Sequence, residues 1–259
     1  WGNQITDISP LSSLANLESL YLEHNEISDI SPLSNLTNLR CLWLKDNQIT
    51  DISPLSRLAD LIHLNLGWNL ISDISPLSRL AYLMWLFLEI NQITDISPLS
   101  GLTNLRCLDL GWNLISDVSP LLNLTTLRHL ELDGNRISDL WPLSGLTNLS
   151  RLNLGWNLIT DVSPLSGLTN LKSLWLEHNE ITYISLLSNL PNLGYLNLED
   201  NHISDIKPLV DNVALSEEGI MCLSGNPLSA ASIEVCIPQL QERGATVYST
   251  PQEGIQGNR

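Results

Sequence analysis

Leucine and isoleucine recur along the chain in a fixed pattern, which residues 39–60 show completely. Counted from Leu39 as position 1, leucine stands at positions 1, 4, 6, 17 and 20, and isoleucine at positions 11 and 14. Asparagine stands at position 9, aspartate at 13 and Ser-Pro at 15 and 16. The 22-residue pattern repeats from residue 17 to residue 192 without insertion or deletion, which predicts a stack of similar coils.

Each coil is predicted to begin with a short strand. Positions 3 to 6 alternate between outward and inward residues, as in the stretch from Cys41 to Leu44. Stacked coils place these strands in one parallel sheet, about 4.8 Å apart. The leucines at positions 4 and 6 then point into the coil, and positions 3 and 5 form the outer face of the sheet.

The remaining fixed positions are predicted to shape the turns. An asparagine side chain both donates and accepts hydrogen bonds, so the asparagines at position 9 satisfy backbone groups buried between coils. Serine at position 15 is predicted to cap a single helical turn, which the proline at position 16 begins. Only one turn fits before the next leucine, which favours a 3-10 helix.

The pattern changes after Val210, where the spacing from Asn201 to Asn226 is 25 residues. We predict a last strand at 221–223 and an amphipathic helix that ends at Gly244 and covers the final coil, split or kinked by Pro238. Residues 246–248 are predicted to add an edge strand. The predicted organisation is a repeat array over 1–212, a capping region over 213–248 and a tail over 249–259.

The recurring LxxLxLxxN stretch resembles the leucine-rich repeat, and the 22-residue form with N-x-I-x-D-I-x-P-L is similar to the bacterial internalin type. This resemblance implies an α/β-class, right-handed leucine-rich-repeat solenoid, shaped as a horseshoe. One parallel β-sheet lies on the concave face, short 3-10 or irregular turns lie on the convex side, and a helical cap closes the C-terminus.

The net charge of −16 argues against nucleic acid and anionic membranes as partners. No apolar run is long enough for membrane insertion. The chain begins within a repeat, so we expect it to be a piece of a longer protein. We expect its four cysteines to be free thiols, although Cys222 and Cys236 are close enough in sequence for pairing to remain open.

The candidate binding residues are those that the scaffold pattern does not require. Nine of the aromatic residues stand at positions 3, 5 or 8, where a leucine core has no use for them. Tryptophan and tyrosine are the preferred anchors of protein interfaces, so we expect these side chains to bind a ligand on the concave face and its rim. They are Tyr21, Trp43, Trp68, Trp85, Phe87, Trp112, Trp156, Trp175 and Tyr195.

The motif LGWNLI recurs in every second coil and contains Trp68, Trp112 and Trp156. Rings at this interval, about 9.6 Å, suit alternate sugar rings of an extended polysaccharide. Duplication of a two-coil unit explains the same interval without any ligand, so carbohydrate binding stays an alternative.

Polar residues are expected in the middle of the same face: His63, Asp109, His129, Glu131 and Arg151. Asp109 and Glu131 stand on adjacent strands, about 5 Å apart, as two glycosidase carboxylates would. An open sheet offers neither a pocket nor an activated nucleophile, so we predict a non-enzymatic protein. No metal motif is present, and no cofactor is expected.

The predicted function is a recognition module that binds a protein or peptide ligand through its aromatic-rich concave face. The resemblance to internalins implies a secreted or cell-surface bacterial protein. Two alternatives remain open: a lectin-like module that uses the LGWNLI tryptophans, and an intracellular scaffold similar to the leucine-rich-repeat proteins that regulate phosphatases. A cytoplasmic location therefore also remains open.

Overall fold

The computed structural model describes residues 2–216 and 219–250. The chain divides into two compact units, Trp1–Arg136 (unit 1) and Ile137–Arg259 (unit 2), which are described one after the other. Each unit is built from stacked coils joined through parallel strands, which confirms the predicted solenoid fold.

Unit 1 contributes six strands of three residues, paired in parallel so that each residue faces the one 22 positions later. From Leu42 onward, the leucines at positions 4 and 6 are fully buried, and positions 3 and 5 lie on the outer face of the sheet. The strands are β1 (Ser19–Tyr21), β2 (Cys41–Trp43), β3 (His63–Asn65), β4 (Trp85–Phe87), β5 (Cys107–Asp109) and β6 (His129–Glu131).

A 3-10 helix lies at the opposite side of each coil, as predicted, but serine is not its cap. Ser53 is the first helical residue, and both its backbone nitrogen and its Oγ donate to the carboxylate of Asp51, at 2.8 and 2.9 Å. Serine therefore supplies hydrogens, and the aspartate at position 13 accepts them. In unit 1 these helices span Ser9–Ser13, Ser31–Leu33, Ser53–Arg57, Ser75–Arg79, Ser97–Leu99 and Ser119–Leu121.

The same two hydrogen bonds, the one from the serine backbone first, lower the pKa of the position-13 carboxyls. They favour the ionised aspartate because only the carboxylate accepts both hydrogens. The aspartates with lowered pKa values are Asp7, Asp29, Asp73 and Asp117.

The asparagines at position 9 connect neighbouring coils, as predicted. Asn69 Oδ1 accepts from the backbone nitrogen of Ile49 at 3.0 Å, and its Nδ2 donates to the carbonyls of Leu44 and Leu66, each at 3.0 Å. One side chain therefore serves the backbone of its own coil and of the preceding one. Asn25, Asn47, Asn91, Asn113 and Asn135 form equivalent bonds in unit 1.

Position 8 adopts a left-handed backbone conformation, which the sequence analysis did not anticipate. Its non-glycine residues have φ between 51° and 57°, at a cost of about 1–2 kcal/mol each. Glycine takes this place in three coils, as Gly2, Gly134 and Gly225, with φ between 64° and 72°. The others are His24, Asp46, Trp68, Ile90, Trp112, Trp156, His178 and Asp200.

Unit 2 continues the pattern with strands β7 (Arg151–Asn153), β8 (Ser173–Trp175), β9 (Tyr195–Asn197), β10 (Ile220–Cys222) and β11 (Thr246–Tyr248). Its 3-10 helices span Trp141–Leu143, Ser163–Gly167 and Ser185–Asn189. Despite the longer spacing, Asn226 acts as a position-9 asparagine, since it accepts from Ile203 and donates to Leu198. The predicted strand at 221–223 begins one residue earlier, at Ile220.

The C-terminal cap is helical, as predicted. Helices α1 (Lys207–Asp211) and α2 (Val213–Ser216) precede β10, and a π-helical segment, Ser232–Cys236, continues into α3 (Ile237–Glu242). Pro238 stands in the first turn of α3, so the predicted helix is two pieces of different type. Strand β11 pairs with β10, as predicted for residues 246–248.

The predicted tail begins with Ser249 and Thr250, which the structure describes, whereas residues 251–259 lie outside the described residues. None of the four cysteines forms a disulfide. In the described part of the chain, no helix has the length and apolar character needed to cross a bilayer.

Restoring the aspartate cap in the coil that lacks it is expected to stabilise unit 2. Tyr183 stands at position 13 and is 82% exposed, so Ser185 begins its 3-10 helix without the usual acceptor. We expect Tyr183→Asp to raise the melting temperature by about 2 °C, measured by circular dichroism. Asp161→Ala, which removes an existing cap in the same unit, is expected to lower it. A lower melting temperature for Tyr183→Asp would contradict this account.

Candidate functional site

The outer face of β1–β4 in unit 1 carries a set of aromatic side chains in contact. Tyr21 and Trp43 lie with ring centroids 5.9 Å apart, and His63 stacks on Trp85 at 4.2 Å with the ring planes 7° apart. Phe87 stands two residues after Trp85 on the same face. These five residues are called the aromatic face below. Within unit 1 the structure therefore brings together Tyr21 with Trp43, and His63 with Trp85.

Partial burial of His63 against its neighbours lowers the pKa of its imidazole. A neutral imidazole stacks on Trp85 as a flat ring without a charge to desolvate. Tyr21 lies at the other end of the aromatic face and is more than half exposed. Its hydroxyl forms a hydrogen bond with the Cys41 sulfur at 3.6 Å, and this interaction is the main cause of the raised pKa of Tyr21.

A depression of 440 Å³ opens beside the aromatic face. Tyr21, Trp43 and His63 line it, together with Arg40 and Ile62 at position 2 of their coils. Its volume lies within the range of small-ligand sites, and it is mixed in character, with apolar rings beside a guanidinium.

The other end of the unit 1 sheet is acidic, as predicted from Asp109 and Glu131. The two residues face each other on β5 and β6, and His129 stands on β6 beside them. Burial raises the pKa of Asp109 to about 7, and the neighbouring carboxylates of Glu89, Glu131 and Asp133 add to this. Among the described residues, no group of histidines, cysteines and carboxylates is arranged to hold a metal ion.

Unit 2 carries a smaller aromatic group on its own sheet. The guanidinium of Arg151 lies 4.5 Å from the ring centroid of Trp175, and the rings of Trp175 and Tyr195 are 4.9 Å apart. Burial raises the pKa of the Tyr195 hydroxyl, and Cys222 contributes. The predicted site residues Arg151, Trp175 and Tyr195 therefore form one cluster within unit 2.

The LGWNLI tryptophans lie at the edge of the sheet, each about half exposed. Each has a neighbour against its ring. The Trp156 ring centroid lies 3.6 Å from that of His178, and the Trp112 ring is so close to Gly134 that an added Cβ would lie 2.6 Å from it. The Lys45 ammonium lies 5.9 Å from the Trp68 ring centroid. These rings lie along the coils rather than projecting freely from them.

The glycine of the LGWNLI motif also has a structural role in unit 1. A Cβ at Gly67 would overlap the carboxylate of Glu89, which lies over the glycine. From the other side, Lys45 reaches across the same coil and donates to Glu89 at 2.7 Å. The glycine therefore makes room for an ion pair between coils that are not neighbours.

A second groove in unit 1 was missed by the sequence analysis. It lies along the N-terminal ends of the strands, has a volume of 610 Å³, and is lined mainly by residues at positions 2 and 22 of successive coils. Arg40 and Arg106 lie at its two ends, and Ile62, Met84 and Tyr82 lie between them. These five residues are called the edge groove below.

The sequence does carry a signal for the edge groove. Position 22 is asparagine except at Asp60, Tyr82 and Thr126, and the residues at position 2 that follow Asp60 and Tyr82 are the apolar Ile62 and Met84. Position 2 is otherwise mostly polar or charged, so the two changes coincide at this place. These residues lie outside positions 3, 5 and 8, where the aromatic candidates stand.

Comparison with known proteins agrees with this geometry. The family model for leucine-rich repeats (two copies) matches residues 1–35, 37–79, 85–123, 125–167 and 169–211. The chain belongs to the leucine-rich-repeat family. No protein of curated function matches it.

Two solved leucine-rich-repeat structures from Listeria monocytogenes place the chain with the internalin-like members. Internalin InlF is 40% identical, with a TM-score of 0.89, and the match covers 97% of this chain and 74% of that one. Internalin C2 is 36% identical, with a TM-score of 0.59, and the match covers 78% and 80%. The plant peptide hormone receptor RGFR1, solved in complex with RGF2, is 22% identical with a TM-score of 0.77 over 95% of this chain and 42% of that one, and shows the shared fold alone.

Leucine-rich repeats are typically binding scaffolds without catalytic activity. Asp109 and Glu131 face each other but lie on the open face of a sheet. The repeat pattern does not require three surface features of this chain: the aromatic face, the edge groove and the cluster of Arg151, Trp175 and Tyr195. Function is therefore sought in these residues.

Proposed function

We propose that this internalin-like chain is a recognition module whose aromatic face binds a protein or peptide. The observation that supports this most strongly is the contact of four aromatic rings on an outward surface, Tyr21 with Trp43 and His63 with Trp85. Their neighbours already hold these rings in place, so binding costs little additional side-chain entropy. Rigid aromatic anchors beside a depression are typical of interface hot spots.

The depression next to Tyr21 and Trp43 gives the aromatic face a shape that an apolar side chain of a partner fits. Arg40 at its margin supplies a donor for a partner carbonyl or carboxylate. An interface with an aromatic centre and a polar margin resembles the common anatomy of protein–protein contacts. The internalin likeness supports a secreted or cell-surface location, which we propose with this function.

The test begins with site-specific cross-linking. A photoreactive phenylalanine analogue replaces Tyr21 in the full chain, and the same analogue replaces Leu122, an exposed residue of unit 1 outside the sheet, as the control. A partner cross-linked from position 21 and not from position 122 is then purified. Its affinity for the chain is measured by isothermal titration calorimetry.

We expect Trp85→Ala with Phe87→Ala to weaken binding of that partner at least about 100-fold, because two hot-spot anchors are lost. Trp141→Ala is the matched control, since it removes an exposed tryptophan from a 3-10 helix of unit 2. We expect its affinity to match that of the unmodified chain. Equal losses in both variants, or no loss in the double variant, would rule out the aromatic face as the binding surface.

Carbohydrate binding by Trp68, Trp112 and Trp156 stays a prediction with less support. The Trp112 ring packs on Gly134 and the Trp156 ring on His178, so one face of each ring is covered. Tryptophan fluorescence during titration with soluble polysaccharides separates the two functions. A saturable change that the triple alanine variant loses would favour a lectin-like module over our proposal.

A further inference from the structure

The edge groove carries two arginines, Arg40 and Arg106, and one carboxylate, Asp60. The guanidiniums of Arg40 and Arg106 take part in no ion pair or side-chain hydrogen bond within the described part of the chain. Both are exposed, and they lie at opposite ends of one groove. On a chain with a net charge of −16, two unpaired arginines lining one groove mark a site for carboxylates.

Between the arginines the edge groove is apolar. Ile62 and Met84 are partly exposed at position 2 of the intervening coils, and Tyr82 is 62% exposed beside them. Methionine adapts its shape to different partners, and an exposed tyrosine supplies a flat wall. The part of the edge groove between the arginines therefore suits one apolar side chain of a ligand.

Two backbone carbonyls lack a hydrogen bond that position-22 asparagines make elsewhere in the array. The position-22 asparagines Asn38 and Asn104 donate to the carbonyls of Ala15 and Ala81, at 2.9 and 2.8 Å. Asp60 and Tyr82 lack the amide for this bond, so in their coils the equivalent carbonyls, those of Thr37 and Ala59, accept no hydrogen bond from a described residue.

The spacing of these features matches an extended peptide. Arg40 and Arg106 stand three coils apart, a distance of about 14 Å at the strand spacing of a parallel sheet. An extended chain advances about 3.3 Å per residue, so about four residues span this distance. Residues i, i+2 and i+4 of an extended peptide share one face, which places the middle one over Ile62 and Met84.

We propose that the edge groove binds an extended segment of a partner protein with the pattern acidic-x-apolar-x-acidic. The two carboxylates pair with Arg40 and Arg106, the apolar side chain lies on Ile62 and Met84, and backbone N–H groups of the segment donate to the free carbonyls. Asp60 at the rim disfavours a third carboxylate, so the x residues are uncharged or basic. This site shares Arg40 and Ile62 with the depression beside the aromatic face, adds Tyr82, Met84 and Arg106, and goes beyond the function proposed above.

The test uses a fluorescein-labelled peptide, Gly-Glu-Ser-Leu-Ser-Glu-Gly, and fluorescence anisotropy with the full chain. We expect Arg40→Gln with Arg106→Gln to weaken binding about 100-fold, since each lost charge-assisted hydrogen bond accounts for about tenfold. Arg57→Gln with Arg79→Gln is the matched control. It changes the net charge equally but alters arginines at the ends of 3-10 helices, and we expect less than about a twofold change.

Two peptide controls define the recognition. Replacing both glutamates by glutamine is expected to weaken binding as strongly as the double arginine variant, and replacing leucine by serine about tenfold. The Trp85→Ala, Phe87→Ala variant is expected to bind the peptide normally. This result distinguishes the two proposals, because neither Trp85 nor Phe87 lines the edge groove.

Several outcomes would overturn the proposal. They are the absence of saturable peptide binding, equal weakening by the two arginine pairs, and loss of binding in the aromatic-face variant. Analytical ultracentrifugation at the same concentrations tests whether a second copy of this chain occupies the edge groove. A dimer that dissociates only in the Arg40→Gln, Arg106→Gln variant would assign the groove to a second copy of this chain instead of a peptide.

Discussion

Asn69→Ala is expected to lower the free energy of unfolding by about 3–5 kcal/mol, the largest effect of any single substitution considered for this chain. The side chain is 6% exposed and bonds the backbone of two coils: its Oδ1 accepts from Ile49, and its Nδ2 donates to Leu44, Leu66 and Gly67. Alanine leaves the buried N–H of Ile49 without a partner, at a cost of about 1–3 kcal/mol. The Leu44 and Leu66 carbonyls each lose one of two hydrogen bonds, because Asn47 and Asn91 still donate to them, at about 1 kcal/mol each.

Asn38→Ala is the matched control for Asn69→Ala. Asn38 also donates to the preceding coil, but through one exposed hydrogen bond to Ala15 at 2.9 Å. Urea denaturation followed by circular dichroism is expected to show a loss of less than about 1 kcal/mol for Asn38→Ala. Similar losses for the two variants would mean that burial of the position-9 asparagines is not what makes them important.

Asp109→Asn is expected to stabilise the chain at pH 8 by about 3 kcal/mol and to change little at pH 4. Burial raises the pKa of this carboxyl from 3.8 to about 7 in the folded chain. The unfolded chain therefore ionises Asp109 at a lower pH than the folded chain does. The folded state loses stability as the pH rises from about 4 through 7, and above that range the penalty stays constant.

The chain itself shows that asparagine fits at this position. Asp109 Oδ1 accepts from the Gly111 backbone nitrogen at 3.0 Å, and Asn65 and Asn153 make the same bond to Gly67 and Gly155 at 3.0 and 3.1 Å. Asparagine keeps this bond and removes the repulsion from Glu89, Glu131 and Asp133.

Urea denaturation at pH 4 and pH 8 measures the Asp109→Asn effect. Asp60→Asn serves as the control, because it removes an exposed carboxyl and is expected to matter little at either pH. A gain from Asp109→Asn that is equal at both pH values would contradict a buried carboxyl as its cause.

The regular part of the fold follows from the repeat because each fixed residue solves a local problem. The inward leucines, the asparagine bonds between coils and the edge strand at Thr246–Tyr248 were all predicted and confirmed. The capping serine was predicted wrongly. Ser-Pro at the start of a helix indicates a serine cap when it is considered alone, whereas Asp51 two residues before Ser53 provides a better acceptor.

The conformation of position 8 is harder to predict, because the residues that occupy it are chemically unrelated. Tryptophan, isoleucine and histidine do not favour a positive φ. The residue types at position 8 therefore do not predict its left-handed conformation. The conformation is imposed by the turn between strand and asparagine. It also decides where the Trp68, Trp112 and Trp156 rings lie, so their contacts with neighbouring coils could not be deduced from spacing alone.

The candidate site was predictable only in part, for a related reason. Residues at positions 3 and 5 share a face by strand alternation, so the grouping of Tyr21 with Trp43 and of His63 with Trp85 follows from the sequence. The edge groove is lined by position 22 of one coil and position 2 of the next coil. These positions have distant numbers in the repeat but are only two residues apart along the chain. Tyr82 and Met84 come together there without any alternation to indicate it.

The ion pair between Lys45 and Glu89 passes over Gly67 and joins coils that have a third coil between them. Models of repeat-protein folding usually let each repeat interact only with its immediate neighbours, as in a one-dimensional Ising model. Here an additional coupling connects second neighbours. The ion pair therefore favours opening of these three coils together over opening of one coil alone, by up to about 1 kcal/mol.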